Sequence, residues 1–312
     1  MKVSKKLKNK IIDFLKSQNY NSCEFDSFLS EHFNNGNPKE ELIFLDFKDI
    51  PNIIEKFFIK FEISYNNMIN LFKNPPKKNS REYQSLTTLQ KSMLDEKEKF
   101  VKKMTKVYKD IRDNFGKILQ EENQIFICPY CQRNYIGIFE NEDANKGYTV
   151  PDLDHFYPKS KYPFLAATIS NLIPSCLVCN QRIKKDKDIY EKSIPNPLEN
   201  NVFYKIEFDY DVNKYPYISN FNELNEEEKN YIELFKIQEQ YSVHREIPQN
   251  IKKKFDRYNI VKKNHLKTCC NSLSNKIIED MVFHEYKYID KNKTPLWKLK
   301  QDIYENMKNE IL

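Results

Sequence analysis

A chain of 312 residues with 39% hydrophobic content, 31% charged residues and a formal net charge of +6 is long enough for one large domain or a few smaller ones, each with a buried core. It contains no apolar run of about 18 residues and no Gly-rich phosphate loop, which excludes a membrane-spanning helix and P-loop nucleotide hydrolysis. The Lys-rich start through Lys16 lacks the apolar stretch of a signal peptide, and an odd total of seven cysteines suits a reducing compartment, so the cytoplasm is the expected location.

In chain order, residues 5 to 17 form a short amphipathic helix that turns Leu7, Ile11, Phe14 and Leu15 inward. Phe57, Phe58 and Phe61 read as core, the usual use of aromatics in a periodic segment. After the breaker Asn74-Pro75-Pro76, the residues Leu86, Leu89, Met93, Phe100, Met104, Tyr108, Ile111, Phe115 and Ile118 recur at three- to four-residue steps. That period predicts one long helix running to about Glu121.

Two Cys-x-x-Cys pairs follow, Cys128/Cys131 and Cys176/Cys179, separated by the 44 residues from Gln132 to Ser175. Four thiolates in two knuckles can surround one tetrahedral Zn²⁺ and leave no coordination position for water or substrate. The site they predict is structural and ties two chain segments together. Inside the clip lie Asp152-Leu153-Asp154-His155-Phe156-Tyr157-Pro158-Lys159-Ser160-Lys161 and then Asn171 through Cys179-Asn180.

Beyond Pro195 and Pro197, alternation over residues 202 to 210 predicts a strand, and Asn225 with Glu228 three residues on has the form of a capping box opening a helix through Ile237. Further helices are expected from Pro248 to Lys263 and from His265 to His284. His265, Cys269 and Cys270 supply too few ligands for a metal site, and the thiols read as a buried pair. The fold expected is α+β, a mostly helical chain with three parts: a helical N-terminal region 1–124, a central zinc-clipped unit 125–200 and a mostly helical C-terminal region 201–312.

The central motif resembles the HNH, or ββα-metal, endonucleases, in the branch that carries a Cys₄ zinc. It shares the Asp-His dipeptide ending a strand, an intervening Asn171, and Asn180 nine residues later, directly after the last zinc cysteine. The likeness covers roughly residues 125 to 190, and it departs from the family's commonest pattern in ending on Asn rather than His. It implies a metal-dependent endonuclease, with His155 as general base, which an imidazole titrating near pH 6.5 suits. Asp154 and Asn180 would offer hard oxygen ligands to a catalytic Mg²⁺ or Mn²⁺. Asn171 would brace the loop and orient the histidine ring.

Lys159, Lys161, Arg182, Lys184 and Lys185 surround the motif and could contact phosphates. The segment 121–200 is nevertheless slightly acidic, with 9 basic and 11 acidic residues, whereas residues 1–120 have 23 and 16. Substrate delivery is therefore expected from the N-terminal region or a partner. The resemblance extends to HNH effectors of bacterial antiphage systems of the Septu or retron-linked kind, and so implies a DNA substrate and a separate ATPase or sensor as partner. An RNA substrate such as tRNA, and a zinc-stabilised binding module without catalysis, are the alternatives.

Overall fold

The computed structural model describes residues 1–18, 42–60, 64, 66–67, 70–71, 74–140, 148–149, 151–258, 260–269 and 274–311. Internal contacts divide the chain into two compact units, one of residues 1–125, 137–180 and 185–192, the other of residues 126–136, 181–184 and 193–312. The chain is mostly helical, with three two-stranded antiparallel sheets among the described residues, an α+β architecture. Among those residues no helix is long and apolar enough to cross a membrane.

In the first unit, α1 (Lys5–Ser17) starts where the Ser4 side chain accepts a hydrogen bond from the Leu7 N–H, and it buries Leu7, Ile11 and Leu15 as its period requires. Helix α2 spans Ile50–Lys60 and α3 spans Arg81–Ser85. The side chains of Phe57, Phe58 and Phe61 lie outside the described residues. The long helix α4 runs over Thr88–Glu122, 35 residues or about 50 Å. It begins later than the apolar stripe suggests, because Leu86 is extended and Thr87 closes a capping box with Gln90. Met104, Tyr108, Ile111, Phe115 and Leu119 are buried on one face, whereas Leu89 is exposed. Phe115 meets Phe14 of α1 edge to face at 5.4 Å, and Asn123, just past α4, accepts the Lys2 N–H at 2.9 Å.

Strands β1 (Phe139–Glu140) and β2 (Tyr148–Thr149) pair antiparallel. The hairpin that matters for the site is β3 (Asp152–His155) with β4 (Leu172–Ser175), in the register Asp152↔Ser175, Leu153↔Pro174, Asp154↔Ile173 and His155↔Leu172. The Phe156 N–H donates to the Asn171 carbonyl at 2.8 Å. Two and four residues earlier, Asp154 and Asp152 then occupy the hydrogen-bonded pairs, and the backbone groups of Leu153, His155 and Pro174 point away from the partner strand. Pro174 therefore removes no ladder bond, which is where a strand tolerates proline. A π-type helical segment, Val178–Lys184, follows β4 directly.

In the second unit, β5 (Phe208–Tyr210) pairs with β6 (Pro216–Ile218). The expected strand over 202–210 is shorter than its alternation suggests. Asn201 accepts the Phe203 N–H through its side chain and winds Val202–Tyr204 into a 3₁₀ turn that buries Val202 and Phe203 together. Both edges of the hairpin are closed by side chains. Asp302 accepts the Phe208 N–H and Asn306 donates to the Phe208 carbonyl, while Gln238 accepts the Ile218 N–H and donates to the Pro216 carbonyl.

Helix α5 (Glu226–Phe235) opens with the expected Asn225/Glu228 capping box and stops at Lys236, which is left-handed at φ 54°, before α6 (Ile237–Ser242). Helices α7 (Glu246–Arg257), α8 (Ile260–Cys269), α9 (Asn275–Lys287) and α10 (Trp297–Ile311) follow. Phe255, Phe283 and Tyr304 from three of these helices form a cluster with ring separations of 4.5 to 5.8 Å. Each such side chain contributes roughly 1.5–3 kcal/mol by burial.

Candidate active site

The four motif cysteines are reduced, and their sulfurs lie within 4.8 Å of one another. A tetrahedral ion with metal–sulfur bonds of about 2.3 Å needs sulfur separations of about 3.8 Å, so the cluster fits a metal such as Zn²⁺ with little adjustment. Cys128, Cys131 and Cys179 are fully buried and Cys176 is 8% exposed, which excludes a catalytic, water-carrying site.

The first knuckle is closed by the Cys128 N–H to the Asn134 carbonyl at 2.9 Å and the Gln132 N–H to the Cys128 carbonyl at 2.8 Å. Gln132 is left-handed, at φ 51°, a conformation that costs an L-residue roughly 1–2 kcal/mol. It is held there by Trp297 Nε1, which donates to Gln132 Oε1 at 3.3 Å, and by the Leu296 N–H to its carbonyl at 2.7 Å. Tyr231 donates to the Tyr130 carbonyl and Tyr241 to the Cys131 carbonyl. The second knuckle is local: Cys176 Sγ accepts the Cys179 N–H at 3.5 Å, and the Cys176 carbonyl accepts the Asn180 N–H at 3.0 Å.

Asn180 thus starts the helical segment after β4, and its Nδ2 donates to Asp152 Oδ2 at 3.3 Å. With the amide nitrogen committed to Asp152, the amide oxygen is the atom left to meet a cation. Asp152 and Asp154 share one face of β3 because side chains alternate along a strand. Carboxylates and an amide oxygen are the donors that Mg²⁺ or Mn²⁺ prefers. Asp152 is the residue that motif reading passes over. Its signal is its place two residues before Asp154, on the same strand face.

His155 is 7% exposed, and its Nε2 lies 2.8 Å from the Ala166 carbonyl. A carbonyl oxygen only accepts, so Nε2 carries the hydrogen and the lone pair of the neutral ring falls on Nδ1. Ala166 belongs to the loop between the strands, which Asn171 organises. Asn171 is fully buried; its Oδ1 accepts the Tyr157 N–H at 2.8 Å and its Nδ2 donates to the carbonyls of Tyr157 and Leu165 at 3.1 and 3.3 Å. Thr168 and Ser170 fasten the same loop by donating to the carbonyls of Leu42 and Leu45.

Tyr108 of α4 stacks obliquely on His155, with ring centroids 4.7 Å apart, and its hydroxyl donates to the outward-facing Leu153 carbonyl at 3.3 Å. Burial raises the Tyr108 phenol above its ordinary range, with Arg112 opposing the shift and Asp152 adding to it. Nothing in the motif points to this contact.

The basic residues of the motif part company in the structure. Lys184 is fully buried, which overturns its reading as a surface phosphate contact. Lys161 pairs with Asp188 at 3.6 Å, and Asp188 also receives the Tyr162 hydroxyl. Arg182 and Lys185 are exposed. Phe156 and Tyr157 pack as expected, edge to face and stacked against Phe47. Cys269 is exposed, with Sγ 3.7 Å from His265 Nε2, so a buried thiol pair does not form there; Cys270 lies outside the described residues. No family model, curated protein or solved structure matches the chain.

Proposed function

We propose that the chain is a metal-dependent endonuclease of the HNH type that hydrolyses phosphodiester bonds of DNA. The observation that carries this reading is the joint placement at the β3–β4 hairpin. Asn180, on the helical turn after β4, is oriented by Asp152 on the strand face shared with Asp154, and His155 ends that strand with its Nε2 fixed on Ala166. Strand, loop, strand and helix in that order are the framework of a ββα-metal site.

Asp154, Asn180 and, through Asn180, Asp152 would hold a divalent cation. Such a cation stabilises the charge that develops on the scissile phosphate and its 3′ leaving oxygen. His155 Nδ1 takes the proton from the attacking water. Adjacent strand residues leave opposite faces, so a phosphate reached by both Asp154 and His155 sits off the end of β3. The Nε2 hydrogen bond to Ala166 keeps the ring in the tautomer that can act as base, and the buried amide of Asn171 keeps Ala166's loop in place. The Cys₄ cluster acts as a structural anchor for the ends of the motif.

The antiphage role, beside a separate ATPase or sensor, is carried by the likeness of the motif around Asp154-His155. The test is cleavage of supercoiled plasmid by zinc-loaded wild type and His155→Ala with Mg²⁺ or Mn²⁺. Metal-dependent nicking that disappears in the variant while zinc is retained is the expected result. Equal activity in the two proteins, or a folded, zinc-loaded wild type inert both alone and with its host lysate, contradicts the reading.

A further inference from the structure

Three cations converge where the long helix α4 passes the hairpin. Lys159, in the loop after β3, places Nζ 5.5 Å from the centre of the Tyr108 ring, and the Arg112 guanidinium lies 6.0 Å from the same ring. Lys109 follows Tyr108 on the helix and is exposed. Tyr108 itself lies against His155 at 4.7 Å, so the cations of Lys159 and Arg112 both fall within about 11 Å of the imidazole.

These cations oppose one another. Burial first, then the charges of Lys109 and Arg112, lower the Lys159 ammonium below its ordinary range. Arg112 holds an ion pair with its neighbour Asp113 at 2.7 Å, both side chains being exposed, and such pairs are weak. Among the described residues Lys159 has no carboxylate within ion-pair range. An anion placed between the three would relieve their repulsion.

We propose that Lys109, Arg112 and Lys159 form a binding site for a backbone phosphate of the substrate strand flanking the cut, with Tyr108 as the wall between that phosphate and His155. The choice of ligand rests on the nuclease reading. The geometry adds the location: with about 3.4 Å of helix rise per nucleotide, 11 Å reaches phosphates up to about three steps from the one attacked. The N-terminal helix therefore supplies the basic surface that the slightly acidic motif segment lacks.

The test uses the full-length, zinc-loaded chain in an Asn180→Ala background that suppresses cleavage. Binding of a labelled DNA duplex is followed by fluorescence anisotropy at increasing NaCl. Arg112→Gln and Lys159→Gln should each reduce the slope of log affinity against log salt by about 0.9, the signature of one phosphate no longer neutralised. Lys102→Gln, exposed earlier on the same helix, should leave the slope unchanged. A slope unmoved by the first two variants, an equal drop in the Lys102 control, or no salt-dependent binding at all overturns the proposal.

Cleavage by the Asn180-intact protein is read separately. If the slopes fall but the protein never cuts, the nuclease reading fails and the phosphate site stands. If it cuts with slopes unchanged, the reverse holds.

Discussion

The two cysteine knuckles use the same spacing and are built in opposite ways. The second is assembled from its immediate neighbours: Cys176 accepts from the backbone of Cys179 and Asn180, and the strand that leads into it is already paired to β3. The first depends on distant residues, because its left-handed Gln132 is braced by Trp297 and Leu296, and its carbonyls receive the hydroxyls of Tyr231 and Tyr241. One knuckle is specified within a dozen residues. The other needs helices more than a hundred residues away, and this gives the C-terminal region a structural purpose that no motif in it announces.

The largest effect should come from breaking what both knuckles share. Cys176→Ser should abolish zinc binding and lower the melting temperature by about 10 °C or more, since structural zinc contributes folding free energy directly and each kcal/mol moves a chain of this size by roughly 2–4 °C. Metal analysis alongside calorimetry reads both. Retention of one zinc per chain would contradict the four-sulfur site.

Next comes the brace on the first knuckle alone. Trp297→Ala removes a fully buried indole together with its hydrogen bond to Gln132, and should cost about 3–5 kcal/mol. Zinc should become easier to strip with a chelator, whereas a change on the second knuckle's side has no comparable remote partner to lose. Tyr241→Phe deletes only the hydroxyl that reaches the Cys131 carbonyl at 2.8 Å. The expected loss is about 1 kcal/mol, measured by denaturant titration of zinc-loaded protein.

The smallest effect concerns α5, the helix that carries Tyr231. Burial opposes ionisation of Glu228, but hydrogen bonds from Lys205 and from Asn225 at the capping box prevail, so its carboxyl is held below the usual range. A carboxylate depressed in the folded state stabilises the protein above its unfolded pKa, about 4.3, and that contribution is lost as pH falls through the lower folded value. Wild type should therefore exceed Glu228→Gln in stability at pH 7, by about 1 kcal/mol or less. The difference should close on acidification below about pH 4, as thermal melts of the two proteins would show.

The same contrast explains what could be read from the chain alone. Local features were legible: the cysteine spacing, the helix from Lys5 to Ser17, the Asn225/Glu228 box, and the buried bracing role of Asn171. Features that depend on remote packing were not. The alternation over 202–210 hides a turn that Asn201 stabilises, and Lys184 is written like any surface lysine although the fold buries it. Tyr108 is one aromatic in a helical stripe, and only the fold brings it to His155. Asp152 lay within the motif, but its partnership with Asn180 appears once β4 has returned the chain to β3.

The central claim, that this hairpin holds a divalent cation beside a general base, is tested most directly by titrating Mn²⁺ into zinc-loaded protein and following it by electron paramagnetic resonance. The account predicts one Mn²⁺ site in wild type and in His155→Ala, lost or strongly weakened in Asn180→Ala, with zinc retained in all three. No site in wild type, or a site indifferent to Asn180, would contradict it.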